Sequence, residues 1–165
     1  MSTLGPNLVV YEEEFDRINS VLGRLWVDAS AKIVFLVDKN GQQIAGAGEI
    51  DQVDTTSLAS LTAGNVAATD GLAKLIGEKE FSILFHEGRK DNIHISIVGQ
   101  RLILVVIFDE RSSLGLVRLR VRKASGDIER ILSDMELKAQ QVGASNMASP
   151  FAEITDEDID ALFSE

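Results

Sequence analysis

The segment from Thr55 to Gly77 constrains the fold more than any other stretch, because it predicts one long helix with two different faces. At about 100° per residue, its large apolar residues recur on one stripe, which is the spacing of a core-facing helix. We therefore expect this stripe to pack inward. It comprises Leu58, Leu61, Asn65, Ala68, Leu72, Leu75 and Ile76.

A second face of the same segment carries almost no side chain. Each glycine inside a helix costs about 1 kcal/mol relative to alanine, so Gly64 and Gly71 together give up roughly 2 kcal/mol of helix stability. Two explanations stay open: a neighbouring element of the same fold approaches closely, or a partner protein does, including a second copy of this chain. This small-residue face comprises Ser60, Ala63, Gly64, Ala67 and Gly71.

The segments around this helix predict a meander of strands between two further helices. An Asn40-Gly41 turn between two strand-like runs is typical of a hairpin. The run LILVVIF is apolar on both faces and is expected inside the sheet, whereas the shorter, alternating Phe81–His86 is the better candidate for an edge strand. Helices are expected at 11–26 and 113–141, and strands at 32–37, 42–47, 81–86, 93–98 and 102–108.

The stretch 113–141 carries two conflicting patterns. Val117 to Arg122 alternates as a strand would, but apolar residues keep helical spacing over a longer span, so length favours a helix with a weak point at Gly126. The arginines of this stretch form either a solvated face or a docking site for an acidic partner.

Composition limits the function classes. A chain of 165 residues with a net charge of −10 fits one domain with tails and argues against general nucleic-acid binding. The longest strongly apolar run is far shorter than the roughly 20 residues of a membrane span, and the amino terminus lacks the pattern of a signal peptide, so we expect a cytoplasmic protein. The absence of cysteine excludes disulfides and thiolate metal sites.

The carboxyl terminus predicts two segments after the domain. Residues 142–150 are small and polar, as in a flexible linker. In residues 151–165, Thr155 and Asp158 form a capping box before a short amphipathic helix that folds only on a partner, although a disordered solubilising tail remains the alternative. Its apolar anchors are Phe151, Ile154, Ile159, Leu162 and Phe163, among six acidic residues and no basic one.

No motif in the sequence points to catalysis by this chain. Phosphate-loop, dinucleotide-binding, zinc-protease and serine-hydrolase signatures are all missing. The two histidines, His86 and His94, fall on adjacent predicted strands without a third ligand, which favours satisfied or exposed histidines over a metal site. We expect no catalytic residues, no metal and no cofactor.

Several segments resemble the Roadblock and dynein light chain family, in its bacterial branch that acts on Ras-like GTPases. They are FLVDKNGQQIA, DTTSLASLTAGNVAA, GLAKLIGEKEF, LVVIFDERSSLGLVRLR and SPFAEITDEDIDALFSE, so the resemblance covers almost the whole chain. It implies an α/β fold in which helices sandwich a five-stranded antiparallel sheet, in the order α-β-β-α-β-β-β-α. The domain would span 11–141, after an N-terminal tail at 1–10.

The resemblance also implies partners and sites. The expected protein is a homodimer with a continuous sheet, joined edge to edge through Phe81, Ile83 and Phe85. Its paired long helices would bind one Ras-like small GTPase per dimer and activate it without an arginine finger, in bacterial cell polarity and gliding motility, at the pole of a rod-shaped cell. The expected GTPase contacts are the small-residue face together with Ala68.

Two further hypotheses concern other partners. Arg17, Lys123 and Arg130 are expected to form a basic patch on the other side of the sheet that binds a second partner, such as another Roadblock or polarity protein. The alternative to GTPase activation is a non-catalytic dimeric adaptor of the same family. An adaptor would bind both nucleotide states of the GTPase alike.

Overall fold

The computed structural model describes residues 2–4, 8–10 and 12–148. Within these ranges an N-terminal hairpin precedes three helices and a five-stranded sheet, and the helix and strand order predicted from sequence is confirmed after the hairpin. The elements are β1 (Ser2–Leu4), β2 (Leu8–Val10), α1 (Glu12–Asp28), β3 (Ile33–Asp38), β4 (Gln43–Gly48), a 3₁₀ turn (Ile50–Gln52), α2 (Thr55–Leu75), β5 (Ile83–Glu87), β6 (Asn92–Val98), β7 (Leu102–Phe108) and α3 (Leu114–Ala148).

The sheet has the order β4-β3-β7-β6-β5, and every neighbouring pair is antiparallel. β7 lies at its centre, with Val105 opposite Phe35 on one side and Ile95 on the other. Every residue of β7 is buried, as expected for a strand that is apolar on both faces. β4 and β5 are the edges, so the prediction of an edge strand near residue 81 is confirmed, although β5 begins only at Ile83.

α1 and α3 cover one face of the sheet. Leu22 of α1 and Ile128 of α3 are fully buried against strand residues such as Val106. The two helices are also tied at their surface, where the guanidinium of Arg17 lies 2.9 Å from the carboxylate of Asp134. This layer contains the larger of the two apolar clusters and holds most of the core.

An ion pair between a buried carboxylate and a partly exposed lysine joins the first turn of α1 to the distal part of α3. Glu14 is only 2% exposed, and its Oε1 accepts a hydrogen bond from Lys138 Nζ at 2.7 Å. That bond holds the pKa of Glu14 below its usual value, although burial acts in the opposite direction. Lys138 also contacts Glu13, so the pair fixes the direction in which α3 leaves the domain.

α3 is one continuous helix, which settles the conflicting patterns of this stretch in favour of helix. Val121, Ala124 and Ile128 are buried on both sides of Gly126, so packing carries the helix across the weak point. The predicted linker at 142–150 is wrong for 142–148, which are helical through Ala148. Small residues such as Ala144 and Ala148 are compatible with helix, and an existing helix gains one hydrogen bond for each residue added.

The N-terminal tail predicted at 1–10 contains structure. β1 and β2 form an antiparallel pair with Ser2 opposite Val10, and β2 lies next to α3. The apolar run Leu8–Val10 is suited to strand pairing, a local signal that the assignment of a tail overlooked. No helix in the described ranges is long and apolar enough to cross a membrane.

Candidate functional site

α2 is held on the sheet at its start by a side-chain cap. The Oδ1 atom of Asp54 accepts a hydrogen bond from the Ser57 backbone N–H at 3.1 Å, and Oδ2 accepts one from the Ser57 hydroxyl at 2.7 Å. These bonds keep the pKa of Asp54 below its usual value. Asp54 is thus the N-cap, and the helix ends before Gly77, which has a φ of +80°.

The buried face of α2 is formed mainly by small residues, so the predicted inward stripe is wrong except at Leu58, which is half-buried against the core. Leu61, Leu72 and Leu75 are 72%, 59% and 82% exposed. The strands below already fill this side of the core with large side chains such as Phe35 and Val105, so a helix can approach closely only through small residues. The buried residues of α2 are Ala59, Thr62, Ala63, Val66 and Ala73.

Most of the predicted small-residue face is open to solvent. A methyl group added at Gly64 or Gly71 would meet no atom within 4 Å, so no described element of the same protomer requires either glycine. Ala63 is the exception, because it is only 9% exposed and belongs to the core beneath the helix. The exposed members are Ser60, Gly64, Ala67 and Gly71, and the further predicted contact Ala68 is exposed as well.

Two contacts fix how α2 is rotated about its axis. On one flank, the β3–β4 turn lies so close that a methyl group at Gly41 would be 3.2 Å from the Cα of Ser60. On the other flank, the Asn65 amide nitrogen lies 2.9 Å from His86 Nε2 on β5. Because of this rotation, Leu61 and Leu72 lie on the side of α2 that faces β5, while Ser60 lies on the side that faces the β3–β4 turn.

The β5 edge therefore carries a band of exposed apolar side chains. Ile83 is 51% exposed and Phe81, just before the strand, is 36% exposed. Phe85 differs from the prediction, because it is half-buried and stacks on Phe108 with a centroid distance of 6.2 Å. Ile83 shares a strand face with Phe85, which packs on the α1 and α3 side, so these exposed residues flank β5 on both faces of the sheet. We refer to them as the β5 apolar band, which comprises Leu61, Leu72, Leu75, Ile76, Phe81 and Ile83.

Sequence reasoning missed four members of this band, the three leucines of α2 and Ile76 directly after it, by assigning them to the core. Helical spacing alone cannot distinguish a stripe that packs on its own sheet from one that packs on another molecule. The available signal was the alternation in the strand near residue 81, which marks an edge, together with the small residues on the opposite side of α2. Both features indicate that the large residues of this helix do not face the sheet of their own protomer.

The predicted basic patch on the α1 and α3 side also contains acidic residues. Arg17 and Arg130 line the same groove, but Arg17 pairs with Asp134 and Arg130 pairs with Asp127. Lys123 lies in an adjoining shallow depression between the helices. The spacing of the cations in the chain indicated the correct face but could not show that acidic residues lie between them.

The two histidines do not converge. Phe85 is opposite His94 and His86 is opposite Ile93, so the two imidazoles project to different faces of the sheet. His94 is 1% exposed, and neither of its ring nitrogens has a hydrogen-bond partner in the described chain. Burial, with a smaller contribution from Arg118, lowers the pKa of His94. Within the described ranges, no three His, Asp or Glu residues are grouped so as to hold a metal.

The C-terminal peptide lies outside the described residues. This applies to its predicted anchors, which are Phe151, Ile154, Ile159, Leu162 and Phe163.

Comparison with known proteins gives one family and several similar structures. Residues 18–108 match the Roadblock/LC7 domain. MglB from Myxococcus xanthus is 64% identical, with a TM-score of 0.74, and the alignment covers 78% of this chain and 96% of that one. The gliding protein MglB from Thermus thermophilus is 33% identical, with a TM-score of 0.71 over 78% of this chain and 98% of its own.

A third similar structure is described as MglB with a tetrameric arrangement. It is 32% identical, with a TM-score of 0.72, over 79% of this chain and 98% of that one. A search of curated proteins found no match.

Proposed function

The chain belongs to the Roadblock/LC7 family, and we propose that it is a homodimeric activator of a Ras-like small GTPase of the MglA type. The observation that carries this proposal is the exposed small-residue face of α2 beside the β5 apolar band, on a chain 64% identical to an MglB. The proposed setting is cell polarity and gliding motility, in the cytoplasm and at the pole of a rod-shaped bacterium.

The proposed dimer joins two copies of β5. An edge strand presents unpaired backbone groups, and a second antiparallel copy would satisfy them and extend the sheet across both protomers. The β5 apolar band would be buried at the same time, with stabilisation of about 25 cal/mol for each Å² of apolar surface removed from water. This arrangement explains why Leu72 and Leu75 are exposed in a single protomer.

The proposed GTPase site is the small-residue face of the two paired α2 helices. The face lies on the side of α2 away from β5, so it stays open when the β5 edges pair. The glycine at position 71 has no packing role in the described protomer, although it costs the helix about 1 kcal/mol. A partner surface lying directly on the helix backbone would explain its presence, and a pair of such faces would bind one GTPase per dimer.

The proposed activation is positional, without catalytic residues from this chain. The activator would hold the switch regions so that the arginine and glutamine of the GTPase itself reach the nucleotide and stabilise its developing charge. Two exposed arginines are already engaged within the protomer, since Arg111 Nε lies 3.0 Å from Asp109 and Arg101 lies 3.7 Å from Glu136. Such pairing is consistent with structural roles for both.

The C-terminal peptide is proposed to bind the same GTPase at a second place. Attachment to the end of α3 gives such a peptide a high effective concentration at any site within its reach, so even weak binding would hold the complex together or change nucleotide exchange. Its apolar anchors and capping box suit folding on a partner.

Nucleotide-dependent binding tests this proposal against the adaptor alternative. We would titrate the cognate GTPase, loaded with GDP or with a non-hydrolysable GTP analogue, with the full-length protein. An activator is expected to bind the GTP-like state at least tenfold more tightly. Equal affinity for both states would contradict activation and favour an adaptor.

The dimer needs its own test. Ile83→Glu places a charge on the β5 apolar band and is expected to shift sedimentation mass from dimer to monomer, with loss of GTPase binding. The matched control is Glu87→Gln at the end of the same strand, which should remain dimeric. An Ile83→Glu protein that is fully dimeric would contradict the proposed interface.

A further inference from the structure

The C-terminal half of α2 is weakly anchored on its own sheet. After Val66, Ala73 is the one fully buried residue of the helix, while Leu72 and Leu75 project away from the protomer. The inward contacts before this point are made mainly by Ala59, Ala63 and Val66. Alanine methyl groups interdigitate little with the strands below, so they offer little resistance to rotation of the helix about its axis.

The polar side chains on the inner half of α2 do not supply the missing anchor. Thr62 donates its hydroxyl hydrogen to the Leu58 carbonyl at 2.7 Å, and Thr69 donates to the Asn65 carbonyl at 2.8 Å. Both bonds satisfy the hydroxyls within the helix itself. Neither of them ties α2 to the sheet.

Asn65 makes the one side-chain hydrogen bond that joins α2 to the sheet in the described chain. Its amide nitrogen donates to His86 Nε2 at 2.9 Å, which requires the imidazole tautomer with its proton on Nδ1. Asn65 is half-buried near the middle of the helix, next to Gly64 of the small-residue face. His86 is on β5, the strand at which the second copy is proposed to pair.

We propose that Asn65 and His86 are a positioning pair that transmits the geometry of the paired β5 strands to the GTPase-binding face of α2. This inference rests on the proposed function. With a helix radius of about 5 to 6 Å including side chains, a rotation of about 20° moves the opposite surface by about 2 Å. A shift of that size is enough to spoil a close contact with Gly64 and Gly71.

The pair couples the position of the β5 edge to the orientation of the small-residue face of α2. Pairing of β5 with a second copy fixes the strand, His86 fixes Asn65, and Asn65 fixes the direction of the small-residue face. The GTPase then meets a face that is already oriented. Without the bond, only a fraction of dimers would have α2 in the binding orientation, and the apparent affinity would fall by that fraction.

The test compares His86→Leu, which removes the acceptor, with His86→Gln, which keeps one. The Oε1 atom of glutamine is the same number of bonds from Cα as Nε2 of histidine, so it can accept from Asn65. Asn65→Ala and the double variant Asn65→Ala/His86→Leu complete a double-mutant cycle. Glu87→Gln, the adjacent residue on the same strand, is the matched control because its side chain points to the other face.

Each dimer is titrated into a fixed amount of GTP-loaded GTPase under single-turnover conditions. For His86→Leu, the half-saturating concentration is expected to rise about three- to tenfold, the size of one hydrogen bond, with an unchanged maximal rate. Asn65→Ala should have the same effect, the double variant should add nothing to it, and His86→Gln should restore most of the loss. The dimer mass should stay that of the unsubstituted protein, and the melting temperature should fall by no more than the few degrees that one lost hydrogen bond costs a chain of this size.

Several results would overturn the inference. An unchanged half-saturating concentration for His86→Leu would do so, as would additive effects in the double variant. A loss that coincides with monomer formation, or with a fall in melting temperature well beyond the cost of one hydrogen bond, would show a purely structural role.

Failure of the proposed function is distinguishable from failure of the positioning pair. If the unsubstituted dimer does not accelerate hydrolysis, the activator function is wrong, and the pair is judged by hydrogen exchange of the backbone amides of 67–76. Faster exchange in His86→Leu than in Glu87→Gln supports the anchor. Equal exchange in the two variants removes it.

Discussion

Replacing Gly71 with arginine tests the α2 surface because the change should stabilise the protein while abolishing its function. A side chain at Gly71 meets no atom within 4 Å in the protomer. Arginine is a strong helix former, so the free energy of unfolding should rise by nearly the 1 kcal/mol that separates glycine from the best helix residues. For a chain of this size, the melting temperature should increase by about 2 to 4 °C.

The same side chain should block the GTPase. A partner that rests on the helix backbone at this glycine has no room for a guanidinium group and its stem. Disrupting a central contact of this kind costs about 2 kcal/mol or more, which corresponds to at least a roughly 30-fold higher half-saturating concentration in single-turnover hydrolysis.

Two controls separate the effect of bulk from that of helix propensity. Gly71→Ala adds a methyl group alone, and it should be stabilised to a similar degree while retaining activation within a few-fold. Gly126→Arg places the same side chain at an exposed glycine of α3, on the other face of the sheet, where a methyl group also meets nothing within 4 Å. That variant should be stabilised without loss of activation. A dimeric Gly71→Arg protein with a half-saturating concentration within threefold of the unsubstituted protein would refute the reasoning.

The remaining predictions concern other parts of the chain. Single alanine replacements of Arg89, Arg101 and Arg111 should each leave hydrolysis within about tenfold, since loss of a true arginine finger costs about 10³ to 10⁵, and a thousandfold loss at any of them would contradict positional activation. Truncation after Ser149 should weaken GTPase binding or change nucleotide exchange, and a truncated protein with unchanged affinity and exchange would argue against a role for the peptide there. Because burial lowers the pKa of His94 in the folded state, stability should be complete above the unfolded value of about 6.5 and fall as the pH drops below it. The urea midpoint should therefore decrease when the pH is lowered from 7.5 to 5.5, and the decrease should be smaller in His94→Leu. Equal decreases of the midpoint in both proteins would exclude His94 as the cause.

Much of the fold could be predicted from local patterns. The seven apolar residues of β7 required a strand buried on both faces, and the Asn40-Gly41 turn required a hairpin. Asp54 directly precedes the long helix and is a residue type that caps helices, because its side chain can reach the first free backbone N–H groups. These features depend on residues close together in the chain, so the sequence contains them directly.

The orientation of α2 could not be predicted in this way. Its leucines have the spacing of a core stripe, yet Ala59, Ala63 and Val66 face the sheet, since the strands already fill the space with larger side chains. Helical periodicity identifies a stripe but does not identify the molecule that buries it. The glycines of α2 were better evidence for a surface that contacts another molecule, because their cost in helix stability requires a reason outside the helix.

The electrostatic surface also depended on packing that the sequence does not reveal. Arg17 and Arg130 lie on one side as their positions suggested, but Asp127 and Asp134 neutralise them. The extension of α3 through Ala148 likewise follows from a helix already formed and not from the local composition of its last turns.

Single-turnover GTP hydrolysis by the cognate Ras-like GTPase, with and without a saturating amount of this protein, tests the central claim most directly. The proposed activator should accelerate hydrolysis by well over tenfold. Binding at saturation with no acceleration would contradict GTPase activation and leave a dimeric adaptor as the function of the same surface.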